Sequence, residues 1–576
     1  MRLLTVLGVL GWFTVSAQID LSFEDNRTPE YDEVIQMYRE LDKEFDEAQL
    51  IEYGKSDVGR PIYLFVMNKA GIFNPTMIDR NKKTVVLINN GIHPGESCGV
   101  DASLLLADEV LRNELLSDDV IYAIIPLYNV GGSLNRSCCT RANQNGPEEQ
   151  GFRGNARNLD LNRDFIKCDS RNAKVFTGIY REWRPHIFID THTTNGADYQ
   201  YVMTLIPTQK DKANPEISAF MEEQLNPYLY EEMNKTPYLM APYVNVFGTT
   251  PDEGFAGFLE TPRYATGYSN LFNAISYTTE AHMFKSYTDR VMATYSFLKF
   301  LGKYVRENGS EIRKVVQRAN ALDAEREVFP LRWELDTSAS REIEFKGYEY
   351  DYVPSELHAG KRLKYDRNRP VTWIVDYFNT YAVVDSVSVP DFYLLPAAFG
   401  EVAERLQMNG VEMFPLSQDL TVNCEVYYIE DYTSPDRPYE GHYFHRKVET
   451  RTERMEMTYH RGDYLIPTSQ VNRRFIVETL EPRGVDSYFT WNFFDGILQQ
   501  KEWFSTYVFE DTALDLLKSD PELARKFEEW KQANPEGAKD GFQSLYFIYK
   551  NSPYYEKSHM RYPVGRVVDE VVFPIK

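Results

Sequence analysis

Short apolar runs alternate with amphipathic stretches between residues 83 and 303. Continuous β-branched or aromatic runs at 84–89, 120–128 and 187–191 predict strands that are buried on both faces. Apolar residues at helical spacing predict a helix over 100–116. Further helices are predicted over 215–235 and 287–306, the last followed by Asn308 and Gly309 as a stop signal. Strands that alternate with helices in this way are typical of an α/β sheet with helices on its faces.

The pattern changes after about residue 326, where aromatic and charged residues alternate. This period of two is typical of half-exposed antiparallel strands. An insert at 391–416 has a strand, a helix over 399–408 and an Asn-Gly turn, and a charged helix is predicted over 521–531. We therefore expect a first domain over 18–324 and a β-rich C-terminal region over 325–576, which could form two subdomains.

Composition excludes one class of partner. The 576 residues contain 63 Lys and Arg against 86 Asp and Glu, which gives a net charge of −23. Nucleic-acid binding depends on neutralising phosphates with cations, and this charge balance opposes it. We therefore expect no nucleic-acid partner.

The N-terminal residues resemble a secretory signal. Arg2 precedes a mostly apolar stretch over 3–15, and the small residues Ser16 and Ala17 follow. The stretch is shorter than the roughly 20 residues that span a membrane, and no later segment has 18 consecutive apolar residues. The pattern predicts a signal peptide over 1–17, cleavage after Ala17, and a secreted or periplasmic mature chain without a membrane span.

Five cysteines are too few for a disulfide scaffold in a chain of this length. Cys138 and Cys139 could each pair with a cysteine elsewhere, one of them with Cys168, but the sequence gives no connectivity. No Cys-x-x-Cys pair occurs, so a thiolate zinc site is not expected.

Two histidines follow buried strands of the predicted sheet. His93 and Glu96 come just after the strand at 84–89, and His192 lies at the end of the strand at 187–191, two residues after Asp190. Ligands in open α/β sheets bind beyond the carboxyl ends of strands. Two His and one Glu leave the fourth position of a tetrahedral zinc open, as catalytic sites require. We predict that His93, Glu96 and His192 bind a metal ion, with Asp190 orienting the His192 imidazole.

Four separated motifs occur in a recognisable order: HPGE at 93–96, DLNRDF at 160–165, DTH at 190–192 and YTTEAH at 277–282. In this order they resemble the zinc metallocarboxypeptidases of the carboxypeptidase A type, over about residues 30–310. The resemblance implies a mixed α/β sheet with helices on both faces, a Zn²⁺ cofactor and a peptide substrate with a free C-terminal carboxylate.

The same resemblance implies roles for single residues. Asn162 and Arg163 would hold the terminal carboxylate of the substrate, which a guanidinium can grip with two hydrogen bonds. Glu280 would act as general base. Arg141 would stabilise the oxyanion beside the scissile carbonyl. Tyr264 would close over the bound substrate.

Two of these assignments have competitors nearby. Arg136, Arg153 and Arg157 lie close to Arg141 in sequence; Arg136 and Arg153 are interpreted as solvated surface residues. Tyr268 competes with Tyr264. His442 and His445 have ligand-like spacing, but they are interpreted as surface or turn residues because no carboxylate at a strand end lies near them in sequence.

The sequence therefore predicts an exported zinc carboxypeptidase that hydrolyses the C-terminal amide bond of peptides, cell-wall peptides included. A zinc deacylase acting on N-acyl amino acids would use most of the same groups. A non-catalytic protein that binds glycan or cell wall is the third hypothesis. Such a protein would be expected to lack at least one of the five candidate groups. All five are present, which argues against this hypothesis: His93, Glu96, Arg141, His192 and Glu280.

Overall fold

The computed structural model describes residues 19, 21–569, 571 and 573–575. The chain divides into two compact units, one of Met1–Ser388, Met408–Gly410 and Val471–Phe475, and one of Val389–Gln407, Val411–Gln470 and Ile476–Lys576. The predicted signal segment lies outside the described residues. The predicted domain boundary at residue 324 falls inside the first unit, and as a functional boundary it stays a prediction.

The first unit contains fourteen strands and eight α-helices among the described residues. The strands are β1 (Ala48–Lys55), β2 (Pro61–Met67), β3 (Thr84–Asn89), β4 (Val120–Ile125), β5 (Ile187–Thr194), β6 (Met203–Pro207), β7 (Met240–Pro242), β8 (Asn245–Val246), β9 (Phe255–Ala256), β10 (Ile275–His282), β11 (Val328–Leu335), β12 (Arg341–Pro354), β13 (Lys361–Phe378) and β14 (Tyr381–Ser388). The helices are α1 (Tyr31–Glu44), α2 (Cys98–Arg112), α3 (Val130–Leu134), α4 (Arg171–Trp183), α5 (Pro215–Phe220), α6 (Asn226–Asn234), α7 (Ala265–Asn270) and α8 (Tyr287–Glu325).

An eight-stranded mixed sheet organises this unit, in the order β1-β2-β4-β3-β5-β10-β6-β7. Its central strands β4, β3, β5 and β10 are parallel, and β6 runs antiparallel to β10. Ile187 and Ile189 of β5 join the core that includes α2 and α8. Phe188, which points to the other face, packs on Phe176 and Tyr180 of α4. Helices therefore cover both faces, which confirms the predicted fold class.

Several predicted boundaries need correction. The strand predicted to reach residue 128 ends at Ile125, and the helix predicted over 215–235 is interrupted by one π-helical segment, Met221–Leu225. Gly309 does not end α8, which continues to Glu325. A Cβ atom at Gly309 would lie 2.9 Å from Thr84 Oγ1 and 3.1 Å from Asp119 Oδ2. The glycine therefore permits close approach of the helix to the sheet.

The second unit contains six strands and five helices among the described residues, and two of these helices include residues of the first unit, Met408 and 473–475. They are β15 (Phe392–Leu395), β16 (Phe414–Pro415), β17 (Leu420–Thr433), β18 (Arg446–Tyr459), β19 (Tyr464–Pro467), β20 (Gly565–Val567), α9 (Gly400–Met408), α10 (Arg473–Leu480), α11 (Thr506–Ser519), α12 (Pro521–Ala533) and α13 (Gly541–Lys550). The strands form one sheet, in the order β16-β19-β15-β20-β17-β18. The β-rich prediction is confirmed, although residues 473–550 are mainly helical.

Two interpretations of single side chains need correction. Cys138 and Cys139 form a disulfide with each other, and Cys168 is a buried thiol. His445 is buried, with Nδ1 2.6 Å from Ser434 Oγ and Nε2 2.9 Å from Asp495 Oδ1. Its hydrogen bonds compensate for burial of the imidazole, so it is not a surface residue. None of the helices in the described part of the chain is both long and apolar enough to cross a membrane.

Asp101 of α2 gives the first unit an expected pH dependence. Its carboxyl is fully buried, where Oδ2 accepts hydrogen bonds from Thr28 and Tyr287. Burial raises the pKa of Asp101 to about 7. Between the unfolded pKa of about 4 and this value the folded state holds the extra proton, so stability falls as pH rises through that window.

We therefore expect the stability of Asp101→Asn to decrease less than that of the wild type as pH rises through this window. The full effect over roughly three pH units is at most about 4 kcal/mol. Thermal unfolding at pH 5 and pH 8 should give a smaller difference in Tm for the variant than for the wild type. The exposed Asp118→Asn serves as control, and an unchanged difference in Asp101→Asn would contradict the assignment.

Candidate metal centre and its cavity

The three predicted metal ligands converge at the carboxyl ends of neighbouring strands. His93 and Glu96 lie in the turn between β3 and α2, and His192 lies near the end of β5. One ligand atom from each lies within 4.8 Å of the others, and all three side chains are buried. Glu96 Oε2 is 3.3 Å from His93 Nδ1 and 2.9 Å from His192 Nδ1. Both imidazoles thus turn the same nitrogen toward Glu96.

The outer ring nitrogen of each imidazole lies within hydrogen-bond distance of a carboxylate. His192 Nε2 is 2.7 Å from Asp190 Oδ2, in the position predicted for Asp190. His93 Nε2 is 2.8 Å from Asp160 Oδ1. Carboxylates that accept from the outer ring nitrogen fix the tautomer and orientation of metal-binding histidines. His93 Nδ1 is buried and has no hydrogen-bond partner among the described residues, which fits a nitrogen that donates its lone pair to a metal.

The charges of this centre depend on one another. Although burial opposes it, Arg141 and His93 lower the pKa of Glu96 well below its usual range. Burial also opposes the charged form of His192, but Asp190 and Glu96 raise the pKa of its imidazole. The centre therefore favours an ionised Glu96, the form that ligates metal ions.

Glu280 lies beside the ligands on the next strand. β10 pairs with β5 in parallel, and Glu280 is in register with His192. Burial raises the pKa of Glu280 to about 7, and the negative charge of Glu96 contributes to the rise. A carboxyl with this pKa at the metal centre can accept a proton near neutral pH.

Two arginines reach the ligand set. Arg141 donates from Nη1 to Glu96 Oε1 at 2.5 Å and from Nη2 to the Thr193 carbonyl at 3.1 Å. A Cβ atom at Gly95 would lie 2.7 Å from Arg141 Cδ, so the HPGE glycine leaves room for this side chain. Arg153 lies 3.3 Å from Glu96 Oε1 and pairs with Asp160. Its interpretation as a solvated surface residue needs correction, since its half-exposed side chain also lines the cavity.

The other predicted residues face the same cavity, which has a volume of about 470 Å³. Arg163 stacks 4.2 Å above the ring of Tyr264, and Asn162 accepts a hydrogen bond from the Ala265 amide. Tyr268 is instead buried and donates to Asn409 Oδ1 at 2.6 Å. The structure thus places all eight predicted site residues around one cavity: His93, Glu96, Arg141, Asn162, Arg163, His192, Tyr264 and Glu280.

Sequence reasoning missed Asp160 and Arg153. Asp160 is the first residue of the DLNRDF motif. Metal-binding histidines commonly have a carboxylate partner, and this rule could have indicated Asp160 as the partner of His93. Arg136 and Arg157 donate to backbone carbonyls, of Thr28 and Asp169 respectively, and do not line this cavity.

Known proteins provide an independent comparison. Residues 34–239 match the family model described as zinc carboxypeptidase. Carboxypeptidase 2 of Trichophyton rubrum is 20% identical over 501 residues, which cover 83% of this chain and 86% of that protein. A metallo-carboxypeptidase structure from Burkholderia cenocepacia is 17% identical with a TM-score of 0.35, and covers 48% of this chain and 69% of its own. Carboxypeptidase A from Helicoverpa armigera is 17% identical with a TM-score of 0.36, and covers 53% and 76%. Residues 34–239, which carry His93, Glu96 and His192, are thus similar to the zinc carboxypeptidases, and these three residues could hold a metal ion.

Proposed function

We propose that the first unit releases the C-terminal residue of peptides that end in a free carboxylate. The observation that carries this proposal is the position of Asn162 and Arg163 on the same cavity as the His93, Glu96 and His192 set. A guanidinium and an amide beside a metal centre suit a carboxylate one residue away from the bond that is cut. An endopeptidase would have no use for such a carboxylate partner.

His93, Glu96 and His192 would hold the zinc. When bound there, zinc supplies a Lewis acid that polarises the scissile carbonyl and lowers the pKa of a water ligand to about 7. The protein then has to orient the substrate, move one proton and stabilise developing negative charge.

The protein's own groups fit these three tasks. Arg163 and Asn162 orient the substrate through its terminal carboxylate, and the Tyr264 ring stacks on Arg163. Glu280 takes the proton from the attacking water and passes it to the leaving amine. Arg141, held at Glu96 and the Thr193 carbonyl, donates to the oxyanion as it forms.

The proposals for the compartment and the natural substrate rest on the sequence alone. We propose that the chain is exported after cleavage near Ala17, because residues 1–17 have the pattern of a signal peptide. Peptides outside the cytoplasm, cell-wall peptides included, then become candidate substrates. Mass spectrometry of the protein from the producing cells tests the export step: a mature N-terminus at residue 18 is expected, and an intact Met1 would contradict it.

Replacing Arg163 by Met should weaken recognition of the terminal carboxylate. Losing a charge-assisted hydrogen bond costs roughly 1.5 to 3 kcal/mol, so kcat/KM for free-acid peptides should fall about 10- to 150-fold. Wild type should cleave C-terminally amidated peptides poorly, and the variant should narrow the gap between acid and amide forms. Paired assays on acid and amide versions of one peptide measure both effects.

Arg157→Met is the matched control, because Arg157 is exposed, donates to the Asp169 carbonyl and does not line the cavity. It should retain wild-type kcat/KM on both peptides. Equal cleavage of acid and amide peptides by wild type would replace the exopeptidase by an endopeptidase or amidase. Cleavage restricted to single N-acyl amino acids would support a deacylase.

A further inference from the structure

We propose that a second cavity, at the amino-terminal ends of β5 and β10, binds a small aromatic carboxylate. We call it the distal cavity. It has a volume of about 230 Å³, and its lining residues all belong to the first unit. The inference is independent of the proposed function. It depends on six of the lining residues: Arg80, Tyr180, Arg184, His186, Tyr268 and Phe272.

The distal cavity is remote from the metal centre. His186 directly precedes β5, and His192 lies near the other end of that strand. At about 3.3 Å per residue, the six positions between them correspond to roughly 20 Å. The two cavities share no lining residue among those that the structure describes. A ligand in the distal cavity therefore does not contact the proposed metal ligands.

The lining of the distal cavity is cationic. Among the described residues it includes Arg80, Arg181 and Arg184 but no carboxylate, although the chain carries a net charge of −23. Arg181 lies 3.7 Å from Glu182. The exposed side chain of Arg184, in contrast, has no hydrogen bond or ion pair within the described part of the chain. This lining therefore attracts an anion.

Arg80 is a further cation whose charge the described residues leave without a carboxylate partner. Its guanidinium donates to the backbone carbonyls of residues 182–184, at the C-terminal end of α4. Burial lowers the pKa of Arg80 to about 10, and the positive charge of Arg184 contributes. The two guanidinium groups thus repel each other, and a carboxylate bound beside them would offset that repulsion.

His186 supplies a neutral donor. The residue is buried, with 7% of its surface exposed, and Nδ1 accepts a hydrogen bond from the Val85 amide at 3.1 Å. Burial lowers the pKa of His186 to about 3, and the charges of Arg80 and Arg313 contribute. The ring is therefore neutral near pH 7 with its proton on Nε2, for which the described residues provide no acceptor. An oxygen atom of a bound carboxylate would accept from it.

Aromatic rings form the apolar part of the distal cavity. Tyr180 and Tyr268 are buried, and their hydroxyl groups donate to protein oxygen atoms, so the rings rather than the hydroxyl groups are left for a ligand. The ring of Phe272 lies 5.5 Å from that of Tyr180 and 5.2 Å from that of Tyr268. Such rings pack favourably on another aromatic ring. The volume is below the about 300 Å³ at which pockets for larger ligands begin, which suits a single ring.

Phenylacetate, one ring joined to one carboxylate, is the probe for this cavity. Calorimetry on the zinc-loaded full-length protein should give a Kd below about 1 mM. Phenylacetamide has the same shape without the charge, and acetate has the charge without the ring. Each should bind at least about tenfold more weakly than phenylacetate. A phenylacetate Kd above that limit, or equal affinity for either analogue, would overturn the proposal.

Arg184→Gln removes a cation from the exposed rim and should weaken phenylacetate binding by about 10- to 100-fold. Arg171→Gln is its matched control, because Arg171 is exposed on the same helix, α4, and lines neither cavity. It should retain wild-type affinity. Gln317→Glu places a carboxylate on the cavity lining from the exposed face of α8, and it should also weaken binding.

Arg163→Met locates the bound probe, because Arg163 lines only the metal-centre cavity. Phenylacetate in the distal cavity should bind this variant as it binds the wild type. Binding that is lost in Arg163→Met and unchanged in Arg184→Gln would place the probe at the metal centre and overturn the proposal. If Arg184→Gln does not fold, unchanged affinity in Gln317→Glu would overturn it as well. The measurement needs no turnover, so its outcome does not depend on whether the chain is a carboxypeptidase.

Discussion

Replacing His93 by Ala should reduce bound zinc from about one ion per chain to near zero and abolish peptide hydrolysis. His93 Nδ1 faces Glu96 at 3.3 Å and is a buried nitrogen without a hydrogen-bond partner among the described residues. The substitution leaves two protein ligands, fewer than the three of a catalytic zinc site. Metal analysis of the purified protein after removal of loose ions, together with release of a C-terminal amino acid, measures both losses.

His186→Ala is the matched control for losing a buried imidazole. His186 is also buried in the first unit, but its Nδ1 accepts a hydrogen bond from the Val85 amide and it does not line the cavity. Its variant should lose thermal stability and keep its zinc. Retention of stoichiometric zinc by His93→Ala would mean that the ligand assignment is wrong.

Local sequence patterns were sufficient for the parts of the fold that local chemistry determines. The strand predicted over 84–89 is β3, and the run that begins at Ile187 is β5, because continuous β-branched and aromatic residues suit strands buried on both faces. Since β3 and β5 are parallel neighbours, the polar residues after each strand meet at one edge of the sheet. From that rule the sequence predicts that His93 and His192 lie close together.

The errors arise where tertiary packing decides. A glycine at position 309 is typical of a helix end, but α8 continues past it. The glycine is required there because Thr84 approaches the helix closely. Asp160 and Arg153 reach the metal centre only because the segment around them folds back onto His93 and Glu96. His445 is satisfied by Asp495, 50 residues later in the chain. No local pattern contains these long-range contacts.

Replacing Glu280 by Gln should lower kcat by about 10²- to 10⁴-fold while zinc and fold are retained, because an amide cannot accept the proton of the attacking water. Glu280 is partly buried and lies in register with His192, so the isosteric amide preserves the packing of the β5 and β10 pair. Wild-type activity should fall as pH decreases through the pKa of Glu280. Burial raises the pKa of Glu280 to about 7, and the positive charge of zinc bound in the adjacent site would oppose this rise by favouring the carboxylate. The Gln variant should lack that acid limb.

Glu260→Gln is the control that separates a general base from a buried carboxyl of structural importance. Glu260 is fully buried in the same unit, burial also raises its pKa, and Oε1 accepts a hydrogen bond from the Gln209 amide, but it does not line the cavity. Its variant should change Tm and retain kcat within about twofold, far below the range for losing a general base. Should Glu280→Gln also stay within that margin and keep its acid limb, Glu280 is structural and another group takes the proton.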